Sequence, residues 1–250
     1  WLKPFELKSI KLVHCAPRLH LFPMASQADA AASALMEAWV NRCWIGSPDR
    51  YPPAPNSVAE MYDVHLAMQG HPLAASLGGV GGYKLGAAGV EGEAMLYAPL
   101  FSHFLVDAFL GAIGSMASSA IQIHAIEAEV GVLLGSDLPA RLDGNPHDEH
   151  DVWSAVSYVI PCIECCGRRS LADVCAFQPP LGRFADCLMG GGVVLGRRFP
   201  AADFDAARLS SCSASLAVND SRVAQGSGAE VPLSSPVQAV VWLANHLNSR

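Results

Sequence analysis

Three acidic residues set in apolar runs are the part of this sequence best suited to chemistry. Glu127 and Glu129 stand two apart in Ile126-Glu127-Ala128-Glu129-Val130, and Glu164 ends the run Val159-Ile160-Pro161-Cys162-Ile163-Glu164. If the first run is a strand, its two carboxylates project from one face. Ile126, Ala128, Val130, Val132 and Leu134 are then expected to fill a buried opposite face. Carboxylates side by side in apolar surroundings are costly unless a positive charge lies between them. A divalent cation with a preference for oxygen ligands, Mg²⁺ or Mn²⁺, meets that need, with Glu164 as the third ligand. A plainer alternative stays open, in which Glu127 and Glu129 form the solvated side of a half-exposed strand.

The elements that must position these groups are legible in outline. Ser26 can cap a helix running to about Cys43, and Asn56 or Ser57 a second one, with Met61, Val64 and Met68 at helical spacing and Gly70 at its end. The stretch 47–55, with four prolines, reads as a stiff connector. The glycines of 78–86 mark a turn into a strand carrying Lys84. They lack the Gly-Lys-Ser/Thr ending and the spacing of a phosphate loop. Residues 148–158 read as a helix feeding the Glu164 strand, its acidic first turn accounting for the charges around His147 and His150. Asn219-Asp220 between two strand-like runs predicts a hairpin. Ser234 or Ser235 caps a final helix, with Pro236 in its first turn. Helices first and strands later predict an α+β fold.

Composition narrows the function classes. The 250 residues are 51% apolar and 16% charged, with a net charge of −7. That composition supports a large core. With no dense Lys/Arg stripe, no nucleic-acid partner is expected. Most of the eight cysteines lie in apolar runs, which suits reduced thiols in an intracellular compartment. A zinc site built on Cys162, Cys165, Cys166 and Cys175 is disfavoured, because Glu164 interrupts the group and the second half of a ligand set is missing. The weakly charged stretch 104–123 has the length of a membrane span but is diluted by glycine, serine and glutamine, so a buried or partner-facing segment is expected instead. Residues 1–23 carry Lys3, Lys8, Lys11 and Arg18 against Glu6 alone, as an appended basic extension or the remnant of an organellar targeting region would. Localisation is accordingly expected to be cytoplasmic or organellar, in a mitochondrion or plastid.

Five segments in order resemble the 2-oxopent-4-enoate (2-hydroxypentadienoate) hydratase group of the fumarylacetoacetate hydrolase superfamily, which includes the 4-oxalocrotonate decarboxylases. They are Gly82-Tyr83-Lys84-Leu85-Gly86; the run 126–134 with Ser136-Asp137-Leu138-Pro139-Ala140; the run 159–164; Phe184-Ala185-Asp186 with Gly192-Val193-Val194-Leu195-Gly196; and the run 236–245. The resemblance implies a rolled, mixed β-structure like the C-terminal domain of that superfamily. It divides the chain into an extension (1–23), an N-terminal helical annex (24–77) and a β-rich domain (78–250) that looks truncated at its C-terminus. It also implies a small 2-oxo acid substrate chelated to a cation on Glu127, Glu129 and Glu164, a stabilised enolate, and catalytic roles for Lys84 and Asp186.

The chain departs from the group at several polar positions. Leu96 stands where a carboxylate is expected, Gly86-Ala87-Ala88 lacks a hydroxyl, Asp186-Cys187-Leu188-Met189 replaces an Asp-Asn-Ala-Ser run, and Ser234-Ser235-Pro236 replaces Gly-His-Pro. Two readings follow. One is a metal-dependent, hydratase-like lyase. The other is a catalytically degenerate member of the fold serving as an accessory subunit, with 1–23 and 104–123 against other chains. Other protein subunits or a homo-oligomer are expected as partners.

Overall fold

The computed structural model describes residues 26–87, 89–108, 114–116, 121–141 and 144–249. The basic extension 1–23 and parts of 104–123 lie outside the described residues.

Two helices open the described chain. Helix α1 (Gln27–Asn41) starts at a reciprocal cap: Asp29 N–H donates to Ser26 Oγ at 3.1 Å, and Ser26 N–H donates to the Asp29 carboxylate at 3.0 Å. Two orphan backbone donors are satisfied at once. Helix α2 (Val58–Gly70) is capped by Ser57, and Gly70 is its last residue. Leu35, Met36 and Trp39 of α1 meet Met61, Val64 and Met68 of α2 in the main core. Trp39 lies stacked on Phe104 and edge-on to Phe101, at centroid distances of 5.0 and 5.3 Å.

That core is floored by an antiparallel ribbon of β1 (Val80–Ala87) and β2 (Met95–Phe101), in which Lys84 pairs with Ala98 and Gly86 with Leu96. A five-stranded sheet follows, in the order β3 (Leu105–Asp107), β6 (Gly190–Leu195), β5 (Val156–Arg168), β4 (Gln122–Leu134), with β7 (Phe199–Pro200) also paired to β5. Only β3 and β6 run parallel. Short helices α3 (Glu149–Ala155), α4 (Ala172–Ala176), α5 (Pro180–Phe184) and α6 (Ala206–Ser211) fill the connections. The hairpin β8 (Ser213–Val218) and β9 (Ser221–Ser227) turns through Asn219 and Asp220, at φ 49° and 63° as a two-residue hairpin turn requires. Helix α7 (Pro236–Asn248) closes the chain, capped by Ser235, with Val237 packed on Val159 and Leu209 in a second cluster. The result is an α+β protein.

Two expectations need correction. The apolar face of β4 is not uniformly buried: Ile126 is 38% exposed and Ala128 is exposed, with Ile163 of β5 beside them at 39%. β4 is an edge strand, and the second cluster reaches only its Val130 end. The helix read over 148–158 ends at Ala155, and the β-branched Val156 begins β5. Asp148 does cap it, accepting from Asp151 N–H at 2.8 Å. In the weakly charged stretch, Phe104 and Ile121 join the main core, as a buried segment would, whereas Ile123 is 38% exposed. Among the described residues, no helix is long and apolar enough to cross a membrane.

Candidate metal and acid–base site

The β4–β5 ladder sets the site. Glu127 lies directly opposite Glu164, and Glu129 opposite Cys162. Directly opposed residues of an antiparallel pair share a face, so all three carboxylates stand on one side of the sheet. Alternation along β5 adds Cys162 and Cys166 to that side and turns Cys165 into the main core. Donor atoms of Glu127, Glu164 and Cys166 lie within 4.8 Å of one another. Glu129 is outside that trio but feels it.

Burial is graded across the site. Glu164 is 4% exposed, whereas Glu127 and Glu129 are exposed. The site therefore has a closed floor and an open mouth. The Glu129 carboxyl is pushed up to about 7, first by loss of solvation and then by the charges of Glu164 and Glu127. The same crowding, after burial, pushes the Cys166 thiol up to about 12.

A cation of the protein reaches this face. Lys84, from the separate β1–β2 ribbon, forms an ion pair with Glu164 through its Nζ and donates to Leu188 O at 3.4 Å. Room for its stem depends on Gly190. A Cβ there would lie 3.0 Å from Lys84 Cδ and 2.9 Å from Cys187 O. The carbonyl of Leu188 is presented by three successive left-handed residues, Cys187, Leu188 and Met189, at φ 48°, 51° and 56°. Such backbone is costly for residues with a Cβ and is held by its surroundings.

Asp186 supplies part of that hold. It is 1% exposed, and its carboxylate pairs with Arg169 Nε and accepts from Arg169 N–H at 2.8 Å. Arg169 is fully buried, donates also to Asp186 O at 2.8 Å and Gly190 O at 2.6 Å, and lies 4.1 Å over the Trp39 ring. In this arrangement Arg169 takes up both Asp186 carboxylate oxygens, one through its guanidinium and the other through its backbone N–H. Arg169 was not singled out from the sequence. Its signal is Arg168-Arg169 ending an apolar strand, where a buried arginine needs a carboxylate partner.

Leu96, at the expected carboxylate position, is 1% exposed in the main core. Its partner Gly86 is two residues from Lys84, so Leu96 shares the Lys84 face of the ribbon.

Three carboxylates against the Lys84 ammonium leave this face with a deficit of positive charge. The donor set therefore fits a divalent cation: Glu127 and Glu164 are close enough to share one, and Glu129 and Cys166 are both destabilised as anions without it.

The chain is 30% identical over 170 residues to a 2-keto-4-pentenoate hydratase of Paraburkholderia xenovorans, covering 67% of this chain and 59% of the relative. It is 28% identical over 172 residues to 2-keto-4-pentenoate hydratase 1 of Dechloromonas aromatica, covering 66% and 59%. The structure of a 4-oxalocrotonate decarboxylase from Pseudomonas putida G7, complexed with calcium and acetate, superposes with a TM-score of 0.67 at 26% identity, over 90% of this chain and 81% of that one. The same enzyme complexed with magnesium and adipate gives 0.61 at 25% identity. The chain is similar to the 2-keto-4-pentenoate hydratase and 4-oxalocrotonate decarboxylase group. No family model matches it. It spans about three fifths of the length of the curated relatives it matches. These relatives give no support to the accessory-subunit or organellar readings.

Proposed function

We propose that the chain is a metal-dependent, hydratase-like lyase acting on a small 2-oxo acid, with its chemistry in the strand-rich part of residues 78–250 and residues 24–77 as a helical annex on a fumarylacetoacetate-hydrolase-like β-roll. The observation that carries this reading is the direct opposition of Glu127 and Glu164 across the β4–β5 ladder, with Glu129 on the same face and Lys84 paired to Glu164. The similar hydratases and the calcium and magnesium complexes of the decarboxylase support it.

Glu127, Glu129 and Glu164 would hold Mg²⁺ or Mn²⁺. The bound ion would supply Lewis-acid polarisation of a chelated 2-oxo carbonyl. Lys84 places an ammonium at the floor of the site, where it holds the buried Glu164 charge and is positioned to deliver or take up a proton as an enolate forms and collapses. Asp186 acts through Arg169, fixing the turn that aims the Leu188 carbonyl at Lys84. Its role in this reading is positioning. The exposed side of Glu127 and Glu129 is the entry for substrate.

The test is hydration of 2-hydroxypenta-2,4-dienoate by the purified chain, followed by loss of diene absorbance with Mg²⁺ or Mn²⁺ present, alongside calorimetric Mn²⁺ titration. Saturable Mn²⁺ binding and turnover, both lost in Glu164→Gln, are expected. A folded chain that binds no Mn²⁺, or turnover unaffected by Glu164→Gln, overturns the reading.

A further inference from the structure

The carboxylate face carries a donor that oxygen-loving ions do not need. Residues 162–166 alternate so that Cys162, Glu164 and Cys166 share the metal-binding side of β5. Of the two thiols, Cys166 stands with the carboxylates. Its Sγ is within 4.8 Å of donor oxygens of both Glu127 and Glu164, and the residue is only 5% exposed. Ligand bonds of about 2.0–2.3 Å to one ion would close this trio with side-chain shifts of roughly an ångström or less.

We infer that Cys166 is a fourth ligand of the site and that the site favours a thiophilic divalent ion, Zn²⁺ or Co²⁺, over Mg²⁺. This inference rests on the metal reading above and deepens it. Three oxygen-donor side chains alone suit Mg²⁺ or Mn²⁺, which keep several waters. A sulfur in the set changes the ranking. Thiolate binds zinc and cobalt well and magnesium poorly, and the first-row affinity order adds to the difference. Coordination converts the Cys166 thiol to thiolate, with its proton released to solvent and the new S–metal bond formed by the sulfur lone pair. The strand geometry makes this specific to one sulfur: Cys165 faces the main core, and Cys162 lies beside Glu129 toward the opposite end of the carboxylate row.

Cobalt reports the bond directly. The metal-stripped chain is titrated with Co²⁺ while absorbance is read for the sulfur-to-cobalt charge-transfer band in the near ultraviolet and for the weaker visible bands that any bound Co²⁺ gives. Wild type and Cys162→Ser are expected to show both. Cys166→Val, close in volume, is expected to keep the visible bands, lose the charge-transfer band, and bind Zn²⁺ about 10–100-fold more weakly with little change for Mn²⁺. Visible bands without charge transfer in wild type overturn the Cys166 assignment and leave the carboxylate site standing. Charge transfer that persists in Cys166→Val places the sulfur elsewhere and also overturns it. Failure of wild type to bind either Co²⁺ or Mn²⁺ overturns this inference and the metal reading together.

Discussion

Lys84 and Glu164 are joined across two separate sheets. Lys84 belongs to the β1–β2 ribbon and Glu164 to the middle of the five-stranded sheet, and their ion pair is nearly closed to solvent, with side-chain exposures of 12% and 5%. The ribbon is thereby tied to the metal face by charge as well as by packing. Desolvating this pair is costly.

Removing the lysine charge exposes that dependence. Lys84→Met leaves Glu164 buried beside two other carboxylates, and breaking a buried pair costs about 3–5 kcal/mol. We expect the metal-free variant to unfold at correspondingly lower urea. Added Mn²⁺ should restore part of the loss, because it replaces the missing positive charge. Any dienoate hydration should fall about 10²–10⁴-fold, the range for a lost proton-transfer group. Equal urea stability of wild type and Lys84→Met without metal would contradict the structural role of the pair.

The Glu129 carboxyl gives the metal-free protein a pH signature. Its folded value, about 7, lies above the ordinary 4.5. Between these values the folded chain holds more protons than the unfolded chain, so the stability contributed by protonated Glu129 is lost as pH rises from about 4.5 to about 7. Glu129 is exposed, and solvent screens part of the effect. The melting temperature of metal-free wild type should therefore fall across this window relative to Glu129→Gln, and saturating Mn²⁺ should shrink the difference. Parallel curves for the two proteins would show that Glu129 does not couple to Glu164 and Glu127.

Asp186 distinguishes positioning from direct catalysis. In Asp186→Asn the buried Arg169 loses its charge partner, and we expect a loss of about 3–5 kcal/mol in urea unfolding. Arg169→Met should cost a similar amount. Removing both charges together, with Asp186→Asn in the Arg169→Met background, should cost less than the sum of the single changes. A stability change below about 0.5 kcal/mol with turnover abolished would instead make Asp186 a catalytic group, as the resemblance to the hydratases first implied.

Much of this site was legible in the sequence because strand periodicity is a local property. Glu127 and Glu129 had to share a face once 122–134 was a strand, and the hairpin at Asn219-Asp220 and the caps at Ser26, Ser57 and Ser235 follow from short-range hydrogen bonding. The facing of Glu127 by Glu164 is a matter of register between strands, which no local pattern fixes. The same holds for Cys166: three cysteines in five residues read as a poor zinc motif until pairing with β4 showed which sulfur stands among carboxylates. Arg169 stayed hidden because its partner is 17 residues away and its burial depends on Trp39 from a different layer. The exposure of Ile126 and Ala128 was illegible because an edge strand and a central strand share one sequence pattern.

Gly190 tests whether the site needs the close approach of Lys84. Its φ is −67°, ordinary for any residue, so Gly190→Ala adds bulk without backbone strain. The new methyl would meet Cys187 O at 2.9 Å, Lys84 Cδ at 3.0 Å and Glu164 Oε1 at 3.7 Å. Backbone that is already left-handed at 187–189 has little freedom to retreat, so the lysine must move. We expect a stability loss of about 1–3 kcal/mol, typical of overpacking, and a displaced Lys84 that no longer offsets the Glu164 charge. Gly82→Ala is the control, since nothing lies within 4 Å of a Cβ there. Combining Gly190→Ala with Lys84→Ala removes the Cδ contact, and the pair should be less destabilising than the sum of the two single changes. Additive losses would mean that Gly190 is required by the Cys187 carbonyl alone, and that the lysine stem reaches Glu164 by a path the methyl does not block.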